Sequence, residues 1–232
     1  MSLEPTPPTP QPTAPTVDAA PASRRSSRPD RLLLAIAAAA ILLIGGWYAF
    51  YRINLANEKR AAEAISELGA LVVMDGNGQH VASVNLSAIE SPESLAKAIE
   101  YLPALRQLGS LDASRTKIRD EQLAFVAQLS ALTTLTLNET AIGDEGVEPL
   151  ADLVELRILD LSATPVTGNF EPLLSLPQLE WLVLRELKLA DDALPKLQGM
   201  ATLKRLGLEG SEYPGKSLST LLQASPTLSV DR

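Results

Sequence analysis

Leu132-x-x-Leu135-x-Leu137-x-x-Thr140-x-Ile142-x-Asp144-x-x-Val147-x-x-Leu150-x-x-Leu153 decides the fold of this chain, because a shift of 24 residues either way lands on the same residue types. Forward it meets Leu156, Leu159, Leu161, Thr164 and Val166, with Gly168 where Asp144 stood. Backward it meets Leu108, Leu111, Ala113, Thr116, Ile118, Asp120, Leu123, Val126 and Leu129. A copy one residue shorter runs through Phe170, Leu173, Leu176, Leu179, Leu182, Leu184, Leu187, Leu189 and Asp191. A fifth runs through Leu194, Leu197, Met200, Leu203, Leu206 and Leu208. A fixed period of this length marks one supersecondary unit stacked on its neighbours, since no single unit buries its apolar face alone.

Within each copy the Leu-x-Leu pair alternates as a half-buried strand does, as in Leu135-Thr-Leu137 and Leu159-Asp-Leu161. Asp120, Asp144 and Asp191 recur shortly before Leu123, Val147 and Leu194. A short acidic side chain there is expected to accept the free N–H groups of a helix's first turn. Capping accounts for all three aspartates at one recurring position, so they are read as helix starts and not as catalytic groups. Each helix would turn a face such as Leu123, Val126 and Leu129 inward and return the chain to the next strand.

These repeats resemble leucine-rich repeats, specifically the bacterial 24-residue Leu-x-x-Leu-x-Leu-x-x-Thr-x-Ile-Thr-Asp-x-Gly-Leu type abundant in planctomycete-like proteomes. The resemblance covers about residues 65–228 and extends to the lead-in, with Ile65-Ser-Glu-Leu-Gly-Ala, then Asp-Gly-Asn-Gly, then Val-Asn-Leu. It implies an α/β fold: a right-handed solenoid with parallel strands on the concave face and helices on the convex face, used for protein recognition. The Thr position becomes Leu187 and Ser211, and the Asp position becomes Gly168. The threonine ladder and the helix caps are therefore expected to weaken in the C-terminal half. Thr116, Thr140 and Thr164 stand where the family's turn asparagine would, so no asparagine ladder is expected.

Outside the repeats the composition shifts. Eight of the 17 prolines fall within residues 1–31, which hold almost no large apolar side chain and are expected to be a disordered tail. Residues 32–51 carry no charge; at about 1.5 Å per residue they span the roughly 30 Å bilayer core as a transmembrane helix. Trp47, Tyr48 and Tyr51 cluster at one end, as an interfacial belt does, and the run is longer than the apolar region of a cleaved signal peptide. Arg24, Arg25, Arg28 and Arg31 precede it, while Arg52, Lys59 and Arg60 follow. That balance favours a cytoplasmic N-terminus and an extracytoplasmic repeat domain.

Residues 52–80 are expected to form a juxtamembrane helix over 54–68, with Leu55, Ala61, Ala62, Ile65 and Leu68 on one stripe and Gly69 at its end. A capping hairpin around Asp75-Gly-Asn-Gly78 follows. The leucine-rich-repeat domain takes residues 81–232. Its first strand is placed at Val84–Leu86, 27 residues before Leu111 and Ala113, with an insertion near Ile89–Pro92. After Leu208 no hydrophilic cap is evident. Either an irregular last turn through Leu218, Leu221, Leu222, Leu228 and Val230 covers the core, or the C-terminal edge pairs with a second copy as a homo-oligomer.

Composition narrows the function. Residues 52–232 carry 16 Lys and Arg against 25 Asp and Glu, which argues against nucleic acid as partner. With no Cys and a single His, zinc sites and Ser-His-Asp chemistry are excluded, and His80 is read as a surface residue of the hairpin. Asp75, Asn77 and Gln79 alternate like the start of a calcium loop, but its remaining ligands and closing Glu are missing. No cofactor or metal is expected. Asn85-Leu-Ser87 and Asn138-Glu-Thr140 match the glycosylation triplet but fall on expected strands. Asp112 and Asp160 are the carboxylates an enzyme would have to use. They stand two strands apart, roughly 9–10 Å, without apolar enclosure, so no enzyme is expected.

Alternation writes out the concave face. One column holds Ser83, Ser110, Thr134, Ile158, Trp181 and Arg205; the next Asn85, Asp112, Thr136, Asp160, Val183 and Gly207; the third Ser87, Ser114, Asn138, Ser162, Arg185 and Glu209. The N-terminal half is small and polar, whereas Ile158, Trp181, Val183, Arg185 and Arg205 gather in the C-terminal half. Trp and Arg dominate interface energetics, so these five are the candidate site for a protein partner. The competing reading lays Trp181 against Arg205 as a solvated cation–π pair. The chain would then be an envelope spacer, or a cytoplasmic-facing scaffold, without a dedicated ligand.

Overall fold

The computed structural model describes residues 29–232, and the tail expected over 1–31 lies, through residue 28, outside the described residues. Pro29–Glu67 form one helix, α1. The two expected helices, 32–51 and 54–68, are thus continuous, because nothing between them breaks a helix: Arg52-Ile-Asn-Leu contains neither Gly nor Pro. From Ala39 on, α1 is long and apolar enough to cross a membrane, and Ile41, Leu42, Leu43 and Ile44 are exposed. The chain divides after Trp47 into two units, and the whole sheet belongs to the second.

In that second unit Ala61, Ala62 and Ile65 are buried. Gly69, at φ +104°, ends α1 as only glycine does without strain. Its N–H bonds the Ser66 carbonyl and the Ala70 N–H bonds that of Ile65, the paired bonds of a left-handed helix end. A hairpin follows, β1 (Leu71–Met74) against β2 (Val81–Asn85). The Asp75 carboxylate closes its turn by accepting the N–H groups of Gln79 at 2.8 Å and His80 at 3.3 Å.

The sheet continues in chain order through β3 (Ser110–Asp112), β4 (Thr134–Thr136), β5 (Ile158–Asp160), β6 (Trp181–Val183), β7 (Arg205–Gly207) and β8 (Ser229–Asp231), all parallel from β2 onward. Val84, Leu111, Leu135, Leu159, Leu182, Leu206 and Val230 lie side by side. The 24-residue interval is thus the strand register. β2 is both the second strand of the hairpin and the first parallel strand, so the two share an element where the sequence suggested a boundary at residue 80.

After each of β3 to β6 the chain turns through a residue at positive φ: Arg115 (59°), Glu139 (55°), Ala163 (52°) and Glu186 (55°), with Gly210 (71°) in the same place after β7. A non-glycine residue there costs roughly 1–2 kcal/mol. Each N–H bonds a carbonyl of the next repeat, those of Asn138, Ser162, Arg185 and Glu209 in turn, which offsets that cost. One residue later the hydroxyls of Thr116, Thr140 and Thr164 donate to the carbonyls three residues back, at 2.6, 2.7 and 2.6 Å. Leu187 has no hydroxyl, but the ladder does not lapse. Ser211 of the following repeat accepts the Leu187 N–H at 2.9 Å and donates to the Leu184 carbonyl at 2.5 Å.

Two expectations for the far side of the repeats need correction. The return segments are single turns and not long helices: α3 (Leu123–Val126), α4 (Asp144–Val147) and α5 (Ala193–Lys196), joined to or replaced by 3-10 turns at Asp120–Gln122, Glu148–Asp152, Glu171–Ser175 and Leu197–Gly199. Pro149, Pro172 and Pro195 remove the N–H that a longer helix would use. Among the segments that link successive strands from β2 onward, only α2 (Pro92–Tyr101), capped by Ser91, and α6 (Gly215–Ala224) reach ten residues. Nor do the aspartates cap their own turns. Asp120 accepts the Gly143 N–H of the next repeat at 2.8 Å. Asp144 reaches the next repeat as well, accepting the hydroxyl and N–H of Thr167 and the N–H groups of Gly168 and Asn169. They clamp repeat to repeat, because the following loop presents its free N–H groups closer than the turn the aspartate begins.

The segment after Leu208 is also more regular than expected. α6 buries Leu218 and Leu221, and β8 pairs with β7, so a further repeat stands where an irregular turn was anticipated.

Candidate functional site

One side of the sheet is filled by the leucine row and its neighbours, fully buried from Val84 to Leu206. The other side, the concave face of the sequence reading, carries the three columns in the expected register. Its first columns continue onto β8 through Ser229 and Asp231. Those two residues were missed, though Val230 standing 24 positions after Leu206 was the available signal.

In the N-terminal half the polar groups satisfy one another. Asn85 accepts from the Ser87 N–H at 2.8 Å and donates to Asp112 at 2.8 Å. The carboxylates of Asp112 and Asp160 accept the N–H groups of Ser114 and Ser162, both at 2.9 Å. Acidic side chains bonded to a backbone N–H two residues on hold the turn.

The C-terminal half is different. Ile158, Trp181 and Arg205 are adjacent on β5, β6 and β7, and the Arg205 guanidinium carbon lies 4.4 Å above the Trp181 ring centroid. Asp231 on β8 holds that guanidinium from the far side at 3.1 Å. Arg185 pairs with Glu209 in the same way, one repeat onward. Beside them Glu180 bridges Arg157 at 3.4 Å and Lys204 at 3.0 Å, and the bond from Lys204 holds its carboxyl below the usual range. The Trp181 Nε1 is buried and makes no hydrogen bond among the described residues.

Four of the five expected site residues therefore stand in one open patch. Val183 does not: it is 4% exposed. Its neighbour Gly207 has no side chain to hold a space open, and a Cβ there would lie 3.2 Å from Val183 and 3.5 Å from the Arg185 Nε. Arg185 thus runs across Gly207 toward Glu209 and closes over the valine.

A second feature was misread. His80 is not a surface residue. Its side chain is 15% exposed, with Nδ1 2.9 Å from the carboxylate of Glu58, itself 4% exposed. The other Glu58 oxygen accepts the Val81 N–H at 2.7 Å, tying α1 to β2. The signal was present: Glu58 falls on the apolar stripe that Leu55, Ala62 and Ile65 define, where an unpaired carboxylate would be costly.

No family model matches the chain, and no curated protein matches it. Among solved structures it is similar to an internalin from Listeria monocytogenes, with a TM-score of 0.53 and 24% identity over 69% of this chain and 51% of that one. A leucine-rich-repeat protein from Leptospira interrogans matches with a TM-score of 0.40 and 17% identity over 62% of this chain and 52% of that one. The chain spans about half the length of the internalin it matches. With the parallel sheet and its 24-residue register, the likeness shows a leucine-rich-repeat fold.

Proposed function

We propose that this chain is a membrane-anchored leucine-rich-repeat protein that recognises another protein through the C-terminal half of its concave face. The observation that carries the reading is the row Ile158, Trp181 and Arg205, set with Arg185 beside an N-terminal half made of small polar side chains. Trp and Arg are the residue types whose loss costs interfaces most. Asp231 and Glu209 hold both arginines in place before any partner arrives, so little side-chain entropy is left to lose on binding.

The rest of the chain serves that role. Residues 32–51 cross the membrane with Trp47, Tyr48 and Tyr51 at the outer interface, and 52–80 cap the first parallel strand of a right-handed solenoid over 81–232. The four arginines before the span and the three basic residues after it support this orientation.

The test is crosslinking of the full chain in its native membrane, followed by identification of what is captured. The Trp181→Ala/Arg205→Ala variant is expected to lower capture of the main partner at least tenfold while the fold survives, since both side chains lie on the open face. Undiminished capture removes the patch. The rival is a spacer without a ligand, favoured by the way Arg205 stacks on Trp181 and pairs with Asp231; it predicts no partner that wild type captures and the double variant loses.

A further inference from the structure

At the base of α1 the second unit holds a groove of about 130 Å³, walled by Tyr51 and Leu55 and bordered by Asn54, His80, Arg106 and Gln107. We infer that it seats the phosphate of an anionic phospholipid, a proposal that rests on the membrane-anchored reading.

The groove collects donors that the fold leaves unused. Asn54, Arg106 and Gln107 make no side-chain hydrogen bond or ion pair among the described residues. Glu58 also lines the groove, but both of its oxygens are committed, one to the Val81 N–H and one to His80 Nδ1. It thereby fixes the imidazole in place. Arg52, Lys59 and Arg60 on the same stretch of α1 are interleaved with Glu58, Glu63 and Glu67, so the helix adds no net charge there. On the sheet face the cations are paired: Arg157 and Lys204 to Glu180, Arg185 to Glu209, Arg205 to Asp231. Three side chains with unused N–H donors, one of them a charged guanidinium, select an oxyanion.

Size and position name its source. The volume is well below the roughly 300–1,000 Å³ of sites for drug-sized ligands, and suits one phosphate group. Tyr51 is the last residue of the uncharged run, and Asn54 lies about 4.5 Å further along the helix axis. The headgroup layer extends roughly 5–8 Å beyond each side of the hydrocarbon core. A phosphate reaching the groove from that layer need not leave its lipid.

Native mass spectrometry of the full chain in detergent, titrated with phosphatidylglycerol, with diacylglycerol of the same acyl chains and with inorganic phosphate, tests this. Phosphatidylglycerol is expected to remain bound where diacylglycerol does not. Arg106→Gln and Asn54→Leu each lower that retention at least fivefold, while Lys216→Gln, at an exposed cation on α6, leaves it unchanged. Equal retention by the groove variants and wild type overturns the inference, as does equal binding of diacylglycerol. Displacement by inorganic phosphate at the lipid's own concentration overturns the lipid as source. Alkaline extraction of membranes separates the two levels: a chain that stays in the membrane yet shows no headgroup preference loses the groove alone, and a chain that is released loses the anchor with it.

Discussion

Gly168 and Ala163 lie in the same loop, both at positive φ, and only at Gly168 is the residue the one that conformation favours. At Gly168, φ is +139° and an added Cβ would sit 2.3 Å from the Ala193 Cβ. An aspartate at this place in the repeat is therefore sterically barred, which accounts for the break in the Asp column. Ala163 has a side chain at φ 52°, where glycine is at ease. Gly168→Ala is expected to cost about 2–3 kcal/mol from strain and overlap. Ala163→Gly runs against the usual penalty for glycine and is expected to be neutral or to gain up to about 1 kcal/mol. Urea unfolding of the two variants checks the pair; a loss at Ala163 as large as at Gly168 would contradict the strain account.

Between elements, the aspartate clamps matter more than the helices they were expected to cap. Burial by itself would raise the Asp144 carboxyl, but the Thr167 hydroxyl and the N–H groups of Asn169, Gly168 and Thr167 outweigh it and hold the group below its ordinary value of 3.8. A carboxylate whose folded value is lowered adds stability in full above the unfolded value, and that stability is lost as pH falls through the folded one. Wild type should therefore exceed Asp144→Asn by about 1.5–3 kcal/mol near neutral pH, the range for hydrogen bonds to a charged group. The gap should close once the solution is more acidic than the folded value. Urea titrations of both proteins from pH 7 to pH 2.5 measure it; a pH-independent gap would show that shape, and not charge, makes the clamp.

At the scale of the whole molecule, each repeat touches only its neighbours, so damage should stay local. Leu135→Ala removes a fully buried side chain from the middle of the leucine row and is expected to cost about 2–5 kcal/mol. Hydrogen exchange should then accelerate in β3, β4 and β5 and remain as in wild type in α6 and β8. Acceleration of the same size throughout would mean that the sheet opens as one unit.

The apolar period by itself determined the strand order, the register and the columns of the open face, because side chains recurring every 24 residues can share one interior only when the strands stack in line. It also located Ile158, Trp181, Arg185 and Arg205 together. Spacing has no term for what lies beside a group in the next repeat. That Val183 is covered, that Ser211 serves Leu184, that Asp144 clamps a neighbouring loop and that Glu58 holds His80 across 22 positions were decided by tertiary packing. In each case a polar group or a gap meets its partner through space, and the free energy of leaving it unpaired, not the local sequence, chooses which partner that is.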